Sequence, residues 1–196
     1  MSNEDNPKRE AILNAASQLF RQYGYRRTSI EDIAKETGMS RPSVYSYFEN
    51  KDAVFRSISE RIHENALSEA RQKLKADPKK TALEERLEGA LAARLGGVHT
   101  FGDESPHGNE ICDEANRLCG DIVSAASTRF QSMLTTALKK ANREGDIALG
   151  HPRPSPQIAA ELMNLGAYGL LRGAEDSATF HKRLGHFVKI YVAGLQ

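Results

Sequence analysis

An all-α fold, divided into a small N-terminal module and a larger C-terminal part, is what this 196-residue sequence predicts, on three observations. Apolar residues recur at i, i+3, i+4 and i+7 through most segments, the period of a helix with one buried face. Cap-forming residues stand before those segments, with Pro42, Pro78 and Pro156 in first turns, where a missing N–H breaks no intrahelical bond. From Asp52 to about Ala76 the chain runs without Gly or Pro, long enough for a single rod.

The elements follow in order. Residues 1 to 6 form a polar tail, and Pro7 starts a helix that carries Ile12, Ala15, Ala16, Leu19, Phe20 and Tyr23 on one face and ends at Gly24. Thr28 is the expected N-cap of a second helix, with Glu31 three residues on as in a capping box. Ile30, Ile33, Ala34 and Thr37 give it one face, and Gly38 supplies the left-handed residue that stops it. Ser40 caps a third helix with Val44 and Phe48 pointing inward, which leaves Arg41, Ser43, Tyr45 and Tyr47 facing out.

Two short helices joined by a Gly-containing turn form a helix-turn-helix, the arrangement that places its second helix in the DNA major groove. The outward residues suit that task. Arg41 can donate a bidentate pair to guanine, Ser43 can bond to a base or a phosphate, and the two tyrosines can reach phosphates and thymine methyls. Lys51, just past Asn50 as the next N-cap, brings a cation and helix N-terminal amides toward the backbone.

The run ILNAASQLFRQYGYRRTSIEDIAKETGMSRPSVYSYFENKDAVF resembles the N-terminal signature of the TetR (tetracycline repressor) family, with its AA…LF…GY…TS…IA…G.S…Y.YF..K spacing. The resemblance covers about residues 7 to 60 and trails off near 67. It implies a one-component bacterial regulator that binds a palindromic operator as a homodimer and senses a small molecule through a helical C-terminal domain. Carried over by position, it puts Arg41, Pro42, Ser43 and Tyr45 at base-reading places and Thr28, Tyr47 and Lys51 at phosphate-contacting places; Arg27 and Ser40 complete the expected DNA-contacting set. The expected division is a DNA-binding domain over 7–51 and an effector-binding and dimerisation domain over 52–196.

Beyond the module, the helix from Asp52 carries Phe55, Ile58, Ile62, Leu67 and Leu74, and about 25 residues at 1.5 Å each span nearly 40 Å. Asp77 and Pro78 restart the chain into a helix with Leu83, Leu87, Ala90, Leu91 and Leu95, closed by Gly96 and Gly97. VHTFGDESPHGNE reads as an irregular stretch, followed by a short helix to Leu118 or Cys119 and a longer one from Asp121 to Arg143. Ser155 and Asp176 or Ser177 open the last two helices, expected to pair with those of a second copy through Gly166, Gly169 and Gly173 and through Leu184, Phe187, Val188 and Tyr191.

His99, Phe101, His107, Cys112, Asn116 and Cys119 cluster in sequence in the part that borders the effector pocket in that family, and an aromatic and polar organic ligand is the expectation. Cys112 and Cys119, seven apart with His107 nearby, suggest a metal or redox sensor as the alternative, which the lack of CxxC or HxxxH spacing disfavours. No cofactor or resident metal is expected. Composition adds exclusions: 39% apolar and 27% charged residues are ordinary for a globular chain, and no apolar run approaches the length of a membrane span. The N-terminus lacks a signal-peptide core and two cysteines make no disulfide framework, so a cytoplasmic protein is expected.

Net charge is +1, and residues 1 to 51 hold eight Lys/Arg against seven Asp/Glu, so position rather than total charge points to DNA. GxSxG, Walker, GxGxxG and HExxH patterns are absent, which argues against catalysis. The function expected is therefore a repressor released by a small molecule. An activator or chromosome-organising protein of the same fold, with a protein partner or no ligand, is the alternative.

Overall fold

The computed structural model describes residues 7–103 and 105–196, and for 97–103 the backbone alone. Eight helices and no strand occur among the described residues: α1 Pro7–Tyr23, α2 Ile30–Thr37, α3 Arg41–Tyr45, α4 Lys51–Leu74, α5 Leu83–Asp103, α6 Gly108–Glu144, α7 Pro156–Arg172 and α8 Ser177–Ala193. They form two compact units. One comprises residues up to 63 with His99–Val123, the other Glu64–Val98 with Ser124–Gln196. The first unit thus holds more than residues 7–51, since it takes in the start of α4 and the first part of α6.

In the first unit, Ile12, Leu13, Ala16 and Phe20 of α1 meet Ile33 of α2, Val44 of α3, Phe48, and Val54, Phe55 and Ile58 of α4. Phe20, Tyr25 and Phe55 form an aromatic triangle with centroids 5.1–5.7 Å apart. Ile111 and Cys119 of α6 close the same core. Tyr23, expected on the buried face of α1, is 49% exposed because the chain turns away at Gly24.

The second unit is built on Leu87, Ala90 and Leu91 of α5, Phe130, Leu134 and Leu138 of α6, Met163 of α7 and Phe180, Leu184 and Val188 of α8. Ser155 and Asp176 cap α7 and α8 through bonds from the amides of Ile158 and Thr179. Among the described residues no helix is long and apolar enough to cross a membrane.

Three sequence expectations change. The cap of α2 is Ser29 rather than Thr28, with Asp32 rather than Glu31 closing the capping box. Helix α5 continues through Gly96 and Gly97 to Asp103, and α6 already begins at Gly108, so most of the stretch expected to be irregular is helical. Helix α6 is one element of 37 residues through Gly120. A glycine costs only about 1 kcal/mol of helix propensity, and the buried positions Ile111, Cys119, Ala126, Phe130, Leu134 and Leu138 keep helical period on both sides of it.

The expected pairing residues also find other work. Phe187 fills the space over Gly166, where an added Cβ would lie 2.6 Å from its ring. Leu184 and Val188 are fully buried, and the Tyr191 hydroxyl donates to the Ala159 carbonyl at 2.7 Å. Gly173 is the C-cap of α7, and Gly169 faces open space. What α7 and α8 leave uncovered is a different row: Ile158, Leu162, Leu165 and Tyr168, each at least half exposed, and Ile190, 73% exposed.

Two glycine substitutions separate packing from propensity. Gly166→Ala forces the Phe187 ring aside and is expected to cost about 1–3 kcal/mol in urea unfolding. Gly120→Ala meets no atom within 4 Å and is expected to gain about 0.5–1 kcal/mol. A loss at Gly120 would mean that α6 needs a flexible point there.

Candidate nucleic-acid interface

The outward row begins with the turn that aims it. Gly38 adopts φ 66°, and its amide closes on the carbonyls of Ala34 and Lys35, which ends α2 sharply. The Ser40 side chain then accepts from the Ser43 amide and starts α3 with Pro42 in its first turn. Val44 is 0% and Phe48 4% exposed, so these two anchor the helix while Arg41, Pro42, Ser43 and Tyr45 stay exposed. Asp32 is held below the usual carboxylate range, first by the Ser29 hydroxyl and then by the Ser29 amide.

Arg41 is already ordered along its own helix. Its Nη2 donates to the Tyr45 hydroxyl at 3.4 Å, its guanidinium lies 5.6 Å from the Tyr45 ring centroid, and Glu31 Oε2 is 3.9 Å from Nη1. The partners are exposed and weak, so a guanine edge can replace them at little cost. The Ser43 hydroxyl shares a hydrogen with Ser40 at 2.8 Å. Tyr47 is half-buried and packs against the first unit's core, which leaves less of it available than the sequence suggests. Arg27 is exposed, with no partner among the described residues.

Other expected phosphate contacts lie inside. Thr28 is 3% exposed and its hydroxyl donates to the Gly24 carbonyl at 2.8 Å. Lys51 Nζ donates to the carbonyls of Tyr25 and Thr28, both at 2.8 Å, and sits 4.2 Å from the Tyr25 ring centroid. Burial pushes its ammonium below the ordinary value. Lys51 therefore ties the loop before α2 to the start of α4.

The residues that sequence reasoning missed come from α6. Glu110 accepts from the Arg26 amide at 2.7 Å, and the buried Glu114 accepts from Arg117 at 2.7 Å and Arg26 at 3.3 Å. The Arg117 bond, followed by that of Arg26, holds the Glu114 carboxyl low against its burial. Arg56 of α4 donates in bidentate fashion to Asp121 at 2.9 and 2.7 Å and to the Leu118 carbonyl. Arg56 brings the Asp121 carboxyl down to about 2. Tyr25 donates to Asp52, and burial, with that bond second, pushes its hydroxyl well above the usual phenol range. Only the i, i+3 and i, i+4 spacing of acids along α6 could have hinted at this buttress.

Of the expected effector residues, His99 and Phe101 have side chains outside the described residues. His107 Nδ1 lies 4.0 Å from Glu110, and Cys112 and Asn116 are exposed on the part of α6 that belongs to the first unit. Cys119 is fully buried and burial pushes its thiol up, so the two cysteines share a helix face but not an environment. Among the described residues no group of three or more His, Cys, Asp or Glu is placed to hold a metal ion.

Residues 12–58 match the family model described as bacterial regulatory proteins, tetR family. The chain is 27% identical over 183 residues to the HTH-type transcriptional repressor ComR of Escherichia coli (strain K12), covering 89% of this chain and 82% of that one. It is 26% identical over 161 residues to the nucleoid occlusion factor SlmA of Marinomonas sp. (strain MWYL1), covering 81% and 77%. In fold it is similar to SmeT, the repressor of the Stenotrophomonas maltophilia multidrug efflux pump SmeDEF, with a TM-score of 0.69 and 24% identity over 99% of this chain and 92% of that one.

The internal and external roles of the two cations are separable. Lys51→Met strips two carbonyls of their donor and is expected to lower stability without DNA by about 2 kcal/mol, whereas Arg41→Ala should leave the urea midpoint unmoved. Equal midpoints for both variants would return Lys51 to the DNA surface. Tyr25 supplies a pH test: its raised value means that its contribution is present below the ordinary value of 10 and is lost as pH rises beyond it. Melting temperature is expected to fall above about pH 10 more steeply in the wild type than in Tyr25→Phe; parallel profiles would contradict this.

Proposed function

Because this chain belongs to the TetR family of bacterial regulatory proteins, which are DNA-binding regulators and not enzymes, we propose that it is a cytoplasmic repressor that binds a near-palindromic operator as a homodimer and leaves it when a small organic effector binds. One observation carries the reading: Arg41, Pro42, Ser43 and Tyr45 form an exposed row on a helix whose other side is fully buried. Arg41 reads a guanine, Ser43 and Tyr45 contact bases and phosphates, and Arg27 and the amides at the start of α2 hold the backbone.

A five-residue reading helix spans only a few base pairs, so two copies about 34 Å apart are needed to read successive major grooves. The apolar row of Ile158, Leu162, Leu165, Tyr168 and Ile190 supports α7 and α8 as the pairing face. These side chains take over the role expected of Leu184, Phe187 and Val188, while Gly169, open on α7, keeps its place in the contact. Release requires the effector to favour a conformation in which the two reading helices no longer match the grooves, for a ligand of equal affinity for both conformations shifts nothing. SmeT, similar in fold, has also been solved as a complex with triclosan, which fits an organic effector. Similarity to SlmA, a nucleoid occlusion factor, supports a second reading, a chromosome-organising DNA-binding protein of the same fold.

Fluorescence anisotropy with DNA from upstream of the protein's own gene, titrated against unlabelled random duplex at fixed salt, tests the main reading. Competitor-resistant binding of two protomers per site is expected, and Arg41→Ala should weaken it about 5- to 150-fold and relax preference at particular base pairs. Loss of the same size on every sequence would remove Arg41 as a base reader. Leu165→Lys is expected to reduce the solution mass from twice the 21.6 kDa of one chain to the single-chain value; an unchanged dimer would place the contact elsewhere.

A further inference from the structure

The second unit contains two buried arginines whose charge no described residue answers. Arg86 and Arg94 of α5 are each 6% exposed. The Arg86 Nε is buried without a hydrogen-bond partner. Among the described residues the Arg94 Nη2 reaches only the Ser127 hydroxyl, at 3.5 Å, the long limit of a hydrogen bond. Burial holds the Arg94 guanidinium below its ordinary value, with no charged group among the described residues countering it. Elsewhere the pattern is reversed: Arg56, Arg61 and Arg117 are all more exposed, yet each donates to a carboxylate at 2.7 Å.

An ion taken out of water without a counter-charge is among the most costly things a fold can hold, and one arginine donating to one hydroxyl does not offset it. The two lie eight residues apart, about 12 Å along the axis, on the inward side of α5 with the fully buried Ala90 between them. Leu87 and Leu91 flank them. Ser127 is exposed, so the Arg94 donor lies against a side chain that itself meets solvent.

We propose that Arg94, with Arg86 as the second cation of the same face, is the recognition site for an organic carboxylate with an apolar body. The carboxylate takes the forked donors of Arg94 beside the Ser127 hydroxyl, and the apolar body lies against leucines of α5. This rests on reading the second unit as the effector sensor and deepens it to a chemical class.

Thermal melting of the full-length protein without DNA tests it, with octanoate and benzoate as probes and octanol and benzyl alcohol as their uncharged twins. At least one acid is expected to raise the melting temperature with concentration, its alcohol should not, and Arg94→Met should abolish the gain. Without ligand, Arg94→Met and Arg86→Met should each melt above the wild type, since an apolar chain of similar shape relieves an unanswered charge. A lower ligand-free melting temperature in either variant would make that arginine part of the fold and overturn the site. So would equal responses to acid and alcohol, or no response to either acid. Operator binding is measured separately, so failure here leaves the DNA-binding reading standing.

Discussion

A helix of five residues does not persist in water by itself, because nucleation fixes several residues for the first hydrogen bond. Helix α3 exists only because Val44 and Phe48 are seated in a core that α1, α2 and α4 build. That constraint orders the rest of the first unit. The loop before α2 must be fixed, which the bonds from Lys51 to the Tyr25 and Thr28 carbonyls achieve. The turn after α2 must be sharp, which Gly38 permits. The outward row then inherits its direction from side chains that never meet solvent.

Ion pairs extend the same logic to α6. Its first part carries Glu110, Glu114, Arg117 and Asp121, and each is engaged with the loop or with α4. Several of these groups are exposed, so single pairs contribute little. Their number and the burial of Glu114, at 5% exposure, make the network a fixed support rather than a decoration of the surface. Helices α4 and α6 each contribute residues to both units.

How much of this was legible depended on whether the signal was local. Gly38, Ser40 with Pro42, Ser155 and Asp176 act through bonds within a few residues, and each stands where its cap is needed. Thr28 and Ser29 illustrate the limit: both have an acid three residues on, and only tertiary burial of Thr28 decides between them. Gly96, Gly97 and Gly120 read as breaks because a glycine's cost is visible in sequence and the packing that outweighs it is not. The inward turn of Lys51 and the seating of Phe187 on Gly166 both depend on partners at least twenty residues away.

If two copies of the α3 row read one symmetric site, the DNA that the protein prefers carries that symmetry. Selection of bound duplexes from a random DNA library by the purified protein tests it most directly. Enrichment of an inverted repeat with half-site centres about 10 base pairs, or a multiple of that, apart is expected, with loss of that motif when Arg41 is replaced by Ala. Enrichment of a single unrepeated site, or of no sequence at all while binding persists, would contradict it.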